Sequence, residues 1–227
     1  MNHIGENLGR VRSRIDGACA AAGRAADAVT LLAVSKTFDA AAVRAAAAAG
    51  QRAFGENYVQ EALAKQAQLQ DLDLAWHFIG PLQSNKTRAV AEHFDWVHSV
   101  DRLKIAERLS QQRPQALAPL QVCVQVNISG EHSKSGCATD EAAALCRAVA
   151  QLPRLRLRGL MAIPAPTAPG SDPRAPYRAL RELFAGLSGL GLDTLSAGMS
   201  DDLEAAIAEG ATMVRVGSAL FGRRQVV

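Results

Sequence analysis

Lysine is scarce in this chain. Lys36, Lys65, Lys86, Lys104 and Lys134 are the only lysines among 25 Lys and Arg residues, so each position carries more information than in a lysine-rich protein. Net charge is also low, +3 over 227 residues, too little to indicate a nucleic-acid partner. The tightest basic cluster, RLRLR at 154–158, alternates with leucine and reads as a strand with one wet face. The four cysteines, Cys19, Cys123, Cys137 and Cys146, form no CxxC and no zinc-like spacing with histidine. That argues against a disulfide framework or a metal centre, and for reduced thiols in a cytoplasmic protein. No run approaches the roughly 18 apolar residues of a membrane span. Arg10, Arg12 and Arg14 interrupt the N-terminus before a signal-peptide core can form. No GxGxxG follows the first apolar run, which removes the dinucleotide fingerprint of an open doubly wound sheet.

What is present is alternation. Ile4, Leu8, Val11, Ile15 and Cys19 recur at helical spacing, predicting a helix over 2–23. Residues 1–25 are therefore expected to pack on the rest of a single domain spanning 1–227. Eight strand-like runs follow, at 29–35, 52–56, 75–80, 95–100, 120–129, 156–163, 193–199 and 213–219. Helical patterns at 39–49, 57–70, 84–92, 101–112, 139–151, 174–188 and 201–209 separate them, and only a short tail is expected after the eighth. The stretch 163–176 holds five of the nine prolines and reads as a long loop. Strand–helix alternation argues for parallel strands with crossover helices. Eight units in about 200 residues predict an α/β fold, a single (β/α)8 barrel.

Barrel sites are built at the C-terminal ends of the strands. The first run, LLAVSKT at 31–37, ends in Lys36, which is either a solvated strand end or an amine made nucleophilic by partial desolvation. At the last two strand ends, SAGMSDD (196–202) and VRVGSALFG (214–222) supply small residues, hydroxyls and Arg215. These suit a phosphate site, although Asp201 and Asp202 oppose an anion there unless they point away. An amine across the mouth from a phosphate site is the pairing that pyridoxal phosphate (PLP) needs. Ser200 and Gln83–Asn85 read as helix caps. Trp76 and Trp96 read as core bulk, and His77 and His98 as lining or structural groups.

The segments AVSKT (33–37), FGENYVQE (54–61), WHFIGPLQSNK (76–86), HSVD (98–101), VNIS with SKSG (126–129, 133–136), GLMAIP (159–164), LSAGMSDDLEAAI (195–207) and VRVGSALFG (214–222) resemble, in order, the YggS/PROSC family of pyridoxal phosphate homeostasis proteins. The resemblance implies the barrel of the alanine racemase N-terminal domain, with PLP held as an aldimine on Lys36. It further implies Ser200, Gly217 and Ser218 at the phosphate, with Met199 beside them. Asn57 should lie near the ring, and Arg215 against either the ring nitrogen or the phosphate. Lys134 matches a family lysine at the site entrance.

The implied role is cytoplasmic: to hold PLP and pass it transiently to apoenzymes, as a monomer and without turnover, nucleic acid or membrane. On that reading Arg215→Gln weakens cofactor retention with little loss of stability. The sequence departs from the family pattern at Phe38, where members often carry a basic residue, and at Ala162 and Ala197. Two alternatives remain. One is a small PLP-dependent racemase, which would need a second acid/base that Tyr58 and Tyr177 do not evidently supply. The other is a Schiff-base aldolase working without PLP.

Overall fold

The computed structural model describes residues 3–131, 135–166, 168 and 170–222. Eight strands, β1 (Thr30–Val34), β2 (Ala53–Glu56), β3 (Ala75–Phe78), β4 (Trp96–Val100), β5 (Leu120–Gln125), β6 (Leu155–Met161), β7 (Thr194–Ser196) and β8 (Met213–Val216), form a closed barrel in chain order. Every pairing is parallel, and β1 closes the ring on β8 from Thr30↔Met213 to Ala33↔Val216. The expected (β/α)8 barrel is what forms.

The helices are α1 (His3–Ala21), α2 (Ala40–Ala48), α3 (Val59–Gln68), α4 (Thr87–His93), α5 (Leu103–Gln112), α6 (Ala142–Ala150), α7 (Ala175–Ala185), α8 (Leu203–Ala208) and α9 (Ser218–Phe221). Strand alternation sends Ala33, Phe54, Phe78, Val97, Val214 and Val216 outward into the core shared with the helices. Leu32, Val34 and Met213 point inward and form a separate small cluster with Ile79.

The N-terminal helix packs as its pattern predicts. Leu8, Val11, Ile15 and Cys19 are its buried residues, and it lies against α8, α9 and α2. Its polar side chains also hold the loops there. Asn7 donates to the carbonyl of Leu220, and Arg14 donates to the Ser200 carbonyl and the Glu204 carboxylate.

The strand ends differ from the sequence reading. The predicted runs 120–129, 193–199 and 213–219 are cut to Gln125, Ser196 and Val216. After Val216 the chain turns at Gly217 into α9, so the eighth strand also carries a helix. Ala219, Leu220 and Phe221 continue the apolar run as part of that helix. Helix α8 begins at Leu203, with Asp202 rather than Ser200 at its N-cap position. Residues Ser84–Lys86 form a 3-10 turn with no side-chain cap. All four cysteines are buried free thiols, and burial pushes Cys137 up to about 11 and Cys146 to about 12. Such thiols stay protonated and inert.

Candidate functional site

A cleft of about 280 Å³ opens at the C-terminal end of the barrel, near the lower limit for small-molecule sites. Lys36, Asn57, Met199, Ser200, Arg215, Gly217 and Ser218 all border it. The structure therefore gathers every described candidate from the sequence into one cavity. Lys134 lies outside the described residues.

Lys36 is half-buried and follows the last residue of β1 by two positions. Its loop is held by a buried ionic cluster. Ser35 Oγ donates to Glu56 Oε1 at 2.6 Å. Lys65 Nζ lies 2.7 Å from each of the Ser35 carbonyl, Glu56 Oε1 and Glu61 Oε1. Glu61 also accepts the Thr37 N–H at 2.6 Å. That bond supports Thr37 at φ 70°, a left-handed conformation costly for a β-branched residue. Burial raises the Glu56 carboxyl above its ordinary value, and hydrogen bonds from Lys65 and Ser35 oppose the rise.

Glu56 ends the run predicted at 52–56, and the sequence pattern gives Lys65 no role. The available signal is a rare lysine four positions after Glu61 on one helix face. Beside Lys36, Phe38 borders the cleft and stacks on Phe221, ring centroids 5.0 Å apart. The stack is an aromatic contact between the lysine loop and α9.

On the opposite wall Ser200 Oγ and Ser218 Oγ lie 3.3 Å apart, next to Gly217. The two acids behave differently. Asp202 accepts the Met199 N–H at 2.6 Å and the Tyr177 hydroxyl, so it is engaged away from the cleft. Asp201 borders the cleft. Gly198, at φ 92°, makes the turn between these groups, and a Cβ there would meet Ala206 at 2.6 Å. Gly80 lets Asn57 come close, since a Cβ would lie 2.5 Å from the Asn57 carbonyl oxygen.

Neither tyrosine borders the cleft. Tyr58 is exposed, and the buried Tyr177 hydroxyl is held by Asp202, which with burial pushes its pKa up.

Arg215 lies at the floor and is 4% exposed. Its Nη1 donates to the Ser196 carbonyl and Oγ, and its Nη2 to the Ala162 carbonyl. Burial lowers it to about 10, so it remains charged at neutral pH. These bonds revise the expectation of a stability-neutral Arg215→Gln. The shorter amide cannot serve all three acceptors, so the variant should lose about 1–3 kcal/mol in urea unfolding.

Below Arg215 a polar chain runs along the barrel axis. Ser196 Oγ lies 2.9 Å from His98 Nδ1, and His98 Nε2 lies 2.9 Å from His77 Nδ1. Burial holds both histidines neutral, His77 at about 3. They sit in the barrel interior and do not border the cleft. Trp76 is core bulk as expected. Trp96 is instead a stacking platform, with His77 at 5.2 Å and the Arg158 guanidinium at 4.7 Å.

Residues 7–225 match the family described as alanine racemase, N-terminal domain. The chain is 67% identical to the pyridoxal phosphate homeostasis protein of Pseudomonas aeruginosa over 224 residues, 99% of this chain and 97% of that protein. The chain belongs to the pyridoxal phosphate homeostasis protein family. The Escherichia coli K12 member of that family is 57% identical over 232 residues, covering 99% and 98%. Among solved structures, PipY of Synechococcus elongatus with PLP bound superposes with a TM-score of 0.85 at 43% identity, covering 96% of this chain and all of that one. The family assignment accounts for the barrel, the leading helix and the cleft at the strand ends together. Among the described residues no helix is long and apolar enough to cross a membrane. No group of three or more His, Cys, Asp or Glu there could hold a metal ion.

Proposed function

We propose that this chain, as a single barrel domain, binds PLP in the C-terminal cleft and takes part in PLP homeostasis. The observation that carries the reading is the placement of one amine, Lys36, in a cleft whose other wall is two adjacent serine hydroxyls and Gly217. PLP supplies an aldehyde, which condenses with a primary amine with loss of water, and an anionic phosphate. Lys36 Nζ is the point of covalent attachment. Ser200, Ser218 and the Gly217 backbone hold the phosphate. Asn57 Oδ1 is buried without a hydrogen-bond partner, which fits a bound polar ring edge. Arg215 closes the floor and Met199 the rim.

The same residues argue for a carrier over a racemase. Racemisation needs a proton donor and acceptor on opposite faces of the substrate carbon. With Tyr177 held by Asp202 and Tyr58 outside the cleft, neither tyrosine pairs with Lys36. On this reading the chain holds its cofactor and yields it to apoenzymes through transient contacts, acting in the cytoplasm as a monomer.

The deciding experiment is borohydride reduction of the PLP-loaded chain followed by peptide mapping. The phosphopyridoxyl adduct is expected on Lys36. An adduct confined to Lys65 or Lys104 would refute the assignment.

A further inference from the structure

A second cavity, of about 390 Å³, lies at the opposite end of the barrel. Thr30, Trp96, Thr194 and Met213, the first residues of β1, β4, β7 and β8, border it together with His77 and Arg158. The hydrogen bonds around it are unevenly distributed. Asp193, the carboxylate of the lining, is already occupied. Arg158 Nε and Nη2 each donate to it at 2.8 Å, and the Thr194 hydroxyl donates to its Oδ1. Arg158 Nη1 donates to Gln121 Oε1, which leaves two of its five N–H groups over.

The axial chain fixes what His77 offers. Arg215 can only donate, so Ser196 Oγ accepts from it. Ser196 is fully buried, and its own proton has one remaining acceptor, His98 Nδ1. His98 then carries its proton on Nε2 and donates to His77 Nδ1. This assigns the His77 proton to Nε2. The ring is 2% exposed, and that N–H has no partner in the described chain. The N–H therefore faces the cavity, which His77 borders.

The unmet groups are thus donors. The local charge is also positive, because Arg156 adds to the balanced Arg158–Asp193 pair and its field acts on Asp193. Trp96 and Met213 give an apolar wall.

We propose that this cavity binds a small organic carboxylate, whose oxygens accept the His77 Nε2–H and a remaining Arg158 N–H and whose carbon body lies on Trp96 and Met213. The site is separate from the PLP cleft, and its test does not depend on PLP binding.

Full-length protein labelled with nitrogen-15 at histidine is titrated with butyrate, against chloride at matched ionic strength. A saturable shift of the His77 Nε2 resonance is expected, with a dissociation constant of about 1 mM, and no such shift with chloride. His77→Asn keeps an acceptor near the Nδ1 position for His98 and removes the Nε2 donor. Followed by tryptophan fluorescence, it should bind butyrate at least about tenfold more weakly. An absent shift in the wild type, an equal shift with chloride, or undiminished binding in folded His77→Asn would each overturn the proposal. If His77→Asn does not fold, the wild-type titration decides.

Discussion

Lys36→Ala is expected to abolish the visible absorption band of the PLP-loaded chain and to weaken PLP retention at least about a hundredfold in equilibrium dialysis. The serine wall and the cleft floor remain in this variant, so residual phosphate-dependent binding should persist. Lys36→Arg should behave like alanine, because a guanidinium does not deprotonate to give a nucleophilic amine. Folding stability should move little, within about 0.5 kcal/mol, since the side chain is only half-buried at a cleft wall. A Lys36→Ala protein that keeps the full band would place the attachment elsewhere and remove the basis of the proposed function.

Lys65→Met is expected to cost about 3–5 kcal/mol, the largest single effect on stability, and to lower the melting temperature by roughly 6–20 °C. Lys65 is 4% exposed and its partner Glu56 is fully buried. Without the ammonium, the Glu56 carboxylate keeps one hydrogen bond, from Ser35, and its Oε2 already has none. The penalty should depend on pH in a defined direction. Burial raises the folded-state pKa of Glu56, and the variant loses the Lys65 hydrogen bond and charge that oppose the rise. Protonation is then easier in the folded chain than in the unfolded one. The penalty is therefore full above the folded-state pKa. It shrinks as pH falls through that value, and below the unfolded one only the part due to the lost Ser35 and Glu61 bonds remains. Thermal melts of Lys65→Met between neutral and mildly acidic pH check this. A second substitution, Glu56→Gln, should restore part of the loss by removing the unpaired charge. An unchanged melting temperature in the single variant would show that the pair adds nothing to the fold. Cofactor capture should fall as well, since Lys65 and Glu61 bond the backbone on either side of Lys36.

The barrel was legible because parallel strands covered on both faces read as apolar runs, and because eight of them alternate with helical patterns. The candidate site was legible for a related reason. In this architecture the chemistry sits where each run stops, so Lys36, Asn57, Ser200 and Ser218 could be read from strand ends. What could not be read depends on contacts across the fold. Helix α9 overlaps the end of the run predicted at 213–219, since four residues are too few to show a helical period. Ser200, Asp201 and Asp202 are all capping residue types, and only the backbone path selects Asp202. The Glu56–Lys65 pair and the chain from His77 to Arg215 join residues whose local patterns are unremarkable. Phe38 is legible only as a hydrophobic residue after the lysine, and its stacking on Phe221 needs the ring closed.

That closure has a kinetic consequence. Strand β1 pairs with β8, and α1 packs against α8 and α9, so segments from the two ends of the sequence must meet before the ring is complete. Such contacts carry a high loop-closure cost and slow folding. Lys36 comes from the first strand end, while Ser200, Arg215 and Ser218 come from the last two. A chain that has not yet paired β1 with β8 therefore cannot present both walls of the cleft. A ligand bridging them binds only once these ends are paired and stabilises that pairing by mass action, so capture of PLP would report that the two ends of the chain have met.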